Sequence, residues 1–237
     1  IVETGPADPL ARYNLGVGAK VLSVTDERFA QADNLLSSFE PIFDPQLFCA
    51  QGKVMDSWES VRHNPNDRHT LEFEMRKAGP IRYIHVSTKY HDGNQVEAIE
   101  IYGYDNAAKN WDLLLPKKNL VGHGSLKIKQ DSKLSEKPYQ KIKVVVFPDG
   151  GLSRLGLYSE LPADEAKKYK AFEDATCVRF DEVIPKSHKP LTIPFVPSEE
   201  ESAKNTERLA KKKKPINLTS SAFGGALVSV SNQHYGP

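Results

Sequence analysis

Short runs that are apolar, or that alternate between apolar and polar residues, recur along the first two thirds of this chain, and they constrain its fold most strongly. In the segment 70–75, for example, every second residue is apolar, namely Leu71, Phe73 and Met75. This is the period of a strand with one buried face. Eight runs of this strand type lie between residues 21 and 158: VLSVT (21–25), TLEFEM (70–75), IRYIHVST (81–88), VEAIEIYGY (96–104), WDLLL (111–115), SLKIK (125–129), KIKVVVF (141–147) and LGLY (155–158).

Turn-forming sequences separate these runs. The clearest are KAGP at 77–80, HDGN at 91–94 and PDGG at 148–151, all rich in residues that favour turns. About eight short strands with frequent turns and no long helical pattern predict an all-β sandwich or barrel. In a sandwich, the apolar positions of the two sheets meet and form the core.

The character of the sequence changes after residue 160. The segment PADEAKKYKAF (162–172) predicts the start of a short helix, with a proline at its head and two acidic residues in its first turn. Several prolines follow, and the segment 199–215 has too few apolar residues to bury a face. We interpret the lysine run 211–214 as part of this solvated linker rather than as a nuclear-import or polyanion-binding patch.

The last residues repeat an earlier segment. GGALVSVSNQHYG (224–236) aligns without a gap with GAKVLSVTDERFA (18–30), which indicates an internal repeat. We therefore predict three parts: a complete β-sandwich repeat at 1–160, a linker at 161–223 that is partly helical or disordered, and the incomplete start of a second repeat at 224–237. A single strand cannot bury its own apolar face, so the last segment is expected to pair with the first repeat or with a neighbouring molecule.

Composition excludes several classes of function. The formal net charge is +1, which argues against a general nucleic-acid or membrane-binding surface. Two distant cysteines, Cys49 and Cys177, make neither a disulfide framework nor a structural zinc site. The first residues lack the basic and apolar regions of a signal peptide. These features predict a cytoplasmic location.

Four stretches occur together in one order: GAKVLSVTDERFAQADNLL (18–36), GKVMDSWESVRHNP (52–65), HDGNQVEAIEIYG (91–103) and VFPDGGLSRLGLY (146–158). Together they resemble the allantoicase family. The resemblance implies a galactose-binding-like jelly-roll β-sandwich, two such repeats in the full protein, and a homo-oligomer. It also implies an amidine hydrolase acting on linear C–N bonds, which converts allantoate and water to ureidoglycolate and urea in purine and allantoin catabolism.

Hydrolysis of allantoate expels urea from a carbon that bears two nitrogens, which calls for a general acid and a general base. The substrate carboxylate calls for a cationic partner, and the ureido groups for paired donors and acceptors. The resemblance implies the following roles. The candidate catalytic residues are Glu59, Asp26 and Asp149. The candidate substrate-binding residues are Asp56, Trp58, Arg62, His63, Asn94 and Arg154.

Plain structural roles compete with several of these assignments. Trp58 is also expected as a packing residue, Glu59 with Arg62 as a simple ion pair, and the turns at 91–94 and 148–151 as turns alone. The histidines form no recognisable metal-ligand spacing, so no cofactor is predicted, and a divalent metal held by carboxylates stays an open alternative.

Two positions depart from the family pattern. Ser57 stands where the family usually has glycine, and Val61 where a second arginine often appears. They favour an alternative function, a lapsed enzyme that persists as a non-catalytic jelly-roll module binding a sugar or small metabolite.

Overall fold

The computed structural model describes residues 10–49, 52–130 and 133–176. Within these ranges the chain is built almost entirely of β-strands. The strands are β1 (Leu10–Asn14), β2 (Lys20–Val24), β3 (Phe48–Cys49), β4 (Gly52–Lys53), β5 (Trp58–Glu59), β6 (His69–Pro80), β7 (Tyr83–Ser87), β8 (Ala98–Asp105), β9 (Asn110–Asn119), β10 (Ser125–Lys129), β11 (Pro138–Phe147), β12 (Gly151–Leu152) and β13 (Arg154–Pro162). The helices are two 3₁₀ turns, Ala32–Leu36 and Lys133–Glu136, and α1 (Ala163–Thr176).

The longer strands form two antiparallel sheets. One has five strands in the order β2-β6-β11-β8-β9, and the other has four in the order β1-β13-β7-β10. Two short ribbons, β12-β5 and β3-β4, complete the pairing. All eight strands predicted from the apolar and alternating runs are present, at nearly the predicted positions. Strand β1 and the two-residue strands were not predicted.

The core lies between the two sheets. Leu71, Phe73 and Met75 of β6 have no exposed surface, and Ile84 and Val86 of β7 are each 1% exposed on the opposite sheet. Each such side chain contributes roughly 1.5–3 kcal/mol when it is fully buried. As predicted from the sequence, one face of each sheet is buried and forms the core.

One predicted turn is wrong. The KAGP segment at 77–80 does not break the chain, because β6 continues through it to Pro80. Gly79 pairs with Tyr139 and Pro80 with Pro138, beyond a shift of register between Tyr139 and Lys141. This irregularity accommodates glycine and proline in a strand, since a bulge interrupts the regular ladder of hydrogen bonds.

The predicted helix is present as α1 and packs on the sandwich. Its Tyr169 ring lies 4.5 Å from the ring of Tyr13. The guanidinium of Arg76 lies 3.3 Å from the centre of the Phe172 ring, a cation–π contact. These contacts attach the first helix of the predicted linker to the repeat. The remainder of the linker and the segment 224–237 lie outside the described residues.

No helix in the described part of the chain is both long and apolar enough to cross a bilayer.

Candidate active site

The candidate site lies at the end of the sandwich where β2 and β11 finish and β6 begins. Val146 of β11 pairs with His69 of β6 near this edge, and Val24 of β2 pairs with Leu71. Because β2 and β11 both run antiparallel to β6, the residues that follow them, Asp26 and Asp149, emerge at the same edge. The fold thus brings together side chains that are more than 120 positions apart in sequence.

Backbone hydrogen bonds join three segments at this edge. Glu59 in β5 pairs with Ala30 on one side and with Gly151 of β12 on the other. The amide of Gly151 donates to the carbonyl of Asn94 at 2.8 Å. The turn at 91–94, the strand at Glu59 and the turn at 148–151 are therefore fixed relative to one another by main-chain contacts.

Glu59 is the most deeply buried carboxylate of the site, with no exposed surface. The side-chain amide of Asn94 donates to Glu59 Oε1 at 3.0 Å. The same Asn94 nitrogen lies 3.0 Å from Nδ1 of His91. Asn94 is 4% exposed and His91 is fully buried. A carboxylate, an amide and an imidazole therefore form one buried chain of polar contacts.

Arg62 and Asp149 form an ion pair beside this chain. Arg62 Nε lies 3.2 Å from Asp149 Oδ1, with 17% and 6% of the two side chains exposed. The other carboxylate oxygen, Oδ2, accepts the amide of Asn64 at 3.0 Å. Arg62 Nη1 is buried and has no hydrogen-bond partner among the described residues. An arginine with a spare buried donor is suited to bind a further carboxylate.

Asp26 shapes the loop that carries Arg62. Its Oδ1 accepts the amide of Val61 at 2.5 Å and that of Arg28 at 3.2 Å. Its carbonyl accepts the indole N–H of Trp58 at 2.9 Å. The Asp26 carboxylate therefore accepts from backbone amides, and these contacts position the loop that carries Arg62.

His69 was not predicted as a site residue, although it borders both aspartates. Its Nδ1 lies 3.1 Å from Thr25 Oγ1, and its Nε2 is buried without a partner among the described residues. Burial lowers the pKa of His69, and the charges of Asp26 and Asp149 oppose this effect. A signal was present in the sequence, since His69 lies in phase with the buried positions 71, 73 and 75 of the same strand.

Arg154 and Asp56, both expected to bind substrate, form a buried ion pair, the clasp. Arg154 Nη2 donates to Asp56 Oδ2 at 2.6 Å, with 7% and 2% of the side chains exposed. The remaining guanidinium nitrogens donate to backbone carbonyls at distances of 2.7–3.1 Å, namely those of Asn34, Phe39, Asp56 and Ser153. Asp56 Oδ2 also accepts the amide of Ile42 at 3.0 Å. These contacts connect Arg154 to the segment that leads into β5 and to the carbonyl of Ser153, so the pair stabilises that segment.

Trp58 and His63 differ in placement. Trp58 is 1% exposed and belongs to the hydrophobic core, which agrees with its alternative role as a packing residue. His63 is exposed and adopts a left-handed backbone conformation with φ of 59°. It lies in the loop between Arg62 and Asn64, at the edge of the site rather than within the buried chain.

The departure at Ser57 is accommodated without backbone strain. Ser57 is not among the described non-glycine residues with positive φ, so its Cβ does not force an unfavourable conformation. Its hydroxyl is buried and has no hydrogen-bond partner in the described part of the chain.

Within residues 10–49, 52–130 and 133–176, no group of three or more His, Cys, Asp or Glu side chains is arranged to hold a metal ion.

Comparisons with known proteins agree with this architecture. Residues 12–162 match the sequence profile of the allantoicase repeat. The chain is 32% identical to the allantoicase of Dictyostelium discoideum over 158 residues, which cover 62% of this chain and 42% of that protein. It is 30% identical to a probable allantoicase of Streptomyces coelicolor over 171 residues, covering 63% and 45%.

Solved structures give the same result. An allantoicase structure superposes with a TM-score of 0.54 at 25% identity, covering 62% of this chain and 48% of that one. The structure of the Saccharomyces cerevisiae allantoicase has the same fold, with a TM-score of 0.52 at 22% identity and coverage of 62% and 43%. The all-β jelly-roll sandwich expected from the sequence is confirmed. The chain spans less than half the length of the relatives that it matches.

Proposed function

This chain belongs to the allantoicase family, and from that premise we propose that it supplies one repeat of a hydrolase that converts allantoate and water to ureidoglycolate and urea. The observation that carries the proposal is the buried Glu59–Asn94 pair beside the Arg62–Asp149 ion pair. All four residues come from the motifs on which the family resemblance rests. The proposal extends to a homo-oligomer in the cytoplasm and to a second repeat that begins at residue 224.

Glu59 is the strongest candidate for proton transfer. Breaking the C–N bond requires a proton on the departing nitrogen and removal of a proton from water. A carboxylate without exposed surface, oriented by the amide of Asn94, is held in one geometry, whereas an exposed carboxylate would rotate freely. Asp149 is less suited to this role, because both of its oxygens already face donors of the loop at 62–64.

Arg62 is the strongest candidate for binding the carboxylate of allantoate. Arg62 and Arg154 are the two arginines among the candidate substrate-binding residues. Each guanidinium nitrogen of Arg154 donates within the chain, whereas Arg62 Nη1 is buried without a hydrogen bond among the described residues. Buried donors are normally hydrogen-bonded. A substrate carboxylate would accept from Arg62 Nη1, and this contact would orient the ureido groups towards Glu59.

The experiment is a measurement of urea release from allantoate by the 237-residue chain, with and without a divalent metal. We expect Glu59→Gln to lower kcat about 100-fold or more, the usual contribution of general acid–base catalysis. Arg62→Ala should raise KM more than it lowers kcat, because it removes binding common to ground and transition state.

Exposed residues provide matched controls. Glu97→Gln and Arg68→Ala change the same residue types at exposed positions and should leave both constants within twofold of the original chain. A folded chain that binds allantoate without releasing urea would contradict the proposal and would support the alternative of a non-catalytic module. Original rates in both Glu59→Gln and Arg62→Ala would overturn the assignment of the two residues.

A further inference from the structure

We propose that His91 is a positioning residue, which acts through Asn94 to keep an N–H donor directed at Glu59. The proposal deepens the function proposed above and rests on it for the role of Glu59. His91 was not among the residues expected in the site, because HDGN reads first as a turn. Its backbone does form that turn, since its amide donates to the carbonyl of Thr88 at 2.9 Å.

The argument begins with the two neighbours of one Asn94 atom. Glu59 Oε1 and His91 Nδ1 each lie 3.0 Å from the same terminal atom of Asn94. An ionised carboxylate accepts hydrogen bonds and cannot donate them. The shared Asn94 atom must therefore be the NH₂ group, which has two hydrogens and can serve both neighbours.

His91 decides whether that orientation is stable. The two terminal atoms of an asparagine side chain differ little in shape, so its hydrogen-bond partners determine which way it points. If Nδ1 of His91 accepts from Asn94, the oxygen of Asn94 cannot take the shared position. The imidazole proton must then be on Nε2, and His91 is neutral.

The position of the proton on His91 thus determines whether Asn94 can donate a hydrogen bond to Glu59. A proton on Nδ1 would turn this nitrogen into a donor and would favour rotation of the Asn94 amide, which would place an oxygen against the Glu59 carboxylate. Two acceptors in contact repel each other, and the carboxylate would lose the donor that orients it. His91 consequently holds the catalytic carboxylate in place without touching the substrate.

The ring of His91 is itself fixed by the fold. A Cβ added at Gly151 would overlap the imidazole at Cε1 and Nδ1, so β12 packs directly against the ring. The amide of His123 donates to the His91 carbonyl at 2.6 Å. These contacts determine the position of Nδ1, which is what a positioning role requires.

The first test reads the state of His91 directly and does not depend on turnover. In ¹⁵N-labelled chain at pH 7.5, the ring nitrogens of His91 should show a neutral imidazole with the proton on Nε2 and an acceptor at Nδ1. A proton on Nδ1 would overturn the proposal. This readout stands even if the chain proves inactive towards allantoate, so failure of the proposed function and failure of this inference remain distinguishable.

The second test uses variants in the urea-release assay. His91→Leu removes the acceptor and should lower kcat about tenfold to a hundredfold with little change in KM. This is the effect expected when a catalytic group is displaced by up to about 1 Å. His91→Gln retains an acceptor and should restore most of the rate. Asn94→Ala should lower kcat to a similar degree.

The decisive comparison is the double variant. If His91 acts through Asn94, His91→Leu combined with Asn94→Ala should be no slower than Asn94→Ala alone. Losses that multiply would show that His91 acts independently and would overturn the proposal. A merely structural role would lower stability in His91→Leu and in His91→Gln alike, without this pattern of rescue and non-additivity.

Discussion

Replacement of Arg154 by methionine tests the clasp that holds the loop leading into the site. Methionine preserves an unbranched side chain but removes the charge and all five N–H donors. The Asp56 carboxylate, which is 2% exposed, would then be buried without its cationic partner. Removal of one member of a buried ion pair typically costs about 3–5 kcal/mol, and several backbone carbonyls lose their donor in addition.

The loss should be visible in thermal unfolding followed by circular dichroism. For a domain of this size, about 1 kcal/mol corresponds to roughly 2–4 °C in Tm, so we expect a decrease of about 6–20 °C. The matched control is Arg68→Met. Arg68 pairs with Asp67 on the surface, where 57% and 72% of the side chains are exposed. Such exposed pairs contribute only about 0–1 kcal/mol to the free energy of unfolding.

A double variant separates the ion pair from simple loss of packing. Asp56→Leu together with Arg154→Met removes both charges, so its loss should be smaller than the sum of the two single losses. If Arg154→Met instead leaves Tm unchanged and raises KM for allantoate several-fold, Arg154 contacts the substrate, and the clasp interpretation is refuted.

Three further predictions concern single positions. Gly151→Ala places a Cβ into the ring of His91 and should cost about 1–3 kcal/mol through overpacking, together with a loss of urea release; original stability in denaturant would contradict this. Ser57→Ala removes a buried hydroxyl that has no partner among the described residues and should be neutral or stabilising by about 1 kcal/mol, whereas a clear loss in urea unfolding would reveal an unseen partner. Burial lowers the pKa of His85 in the folded domain, so the unfolded chain takes up a proton first as the pH falls below about 6.5, and stability decreases from there down to the folded-state pKa. His85→Gln should make the urea midpoint less dependent on pH in this window, and an unchanged dependence would refute the assignment.

The strands were predictable because their signal is local. The clearest case is β6, which alternates fully and partly buried positions from His69 to Met75, and burial of one face imposes that period. The two-residue strands β5 and β12 carry no period, since their positions depend on pairing with each other and with Ala30. The KAGP segment was misjudged for a related reason: whether Gly79 and Pro80 break a strand depends on the register of the partner strand.

The site was predictable only in part. The motifs named Glu59, Arg62, Asn94 and Asp149, and the structure places them at one edge of the sandwich. Arg154 shows what a motif cannot supply. An arginine suits a substrate carboxylate and a set of backbone carbonyls equally well, and only the three-dimensional structure shows that Arg154 donates to the carbonyls of Asn34 and Phe39.

The glycine pair at 150–151 links these observations. Sequence alone assigned it to a turn, since glycine accepts positive φ, and Gly150 does adopt a φ of 121°. Space is the stronger constraint, because a Cβ at Gly150 would overlap the carbonyl of Asn94, and one at Gly151 would overlap His91. Both residues of the turn are therefore small so that the turn at 91–94 can lie against it. The same close approach that completes the fold at this edge sets the position of the His91–Asn94–Glu59 chain, so in this repeat a substitution that opens the edge would disturb folding and chemistry together.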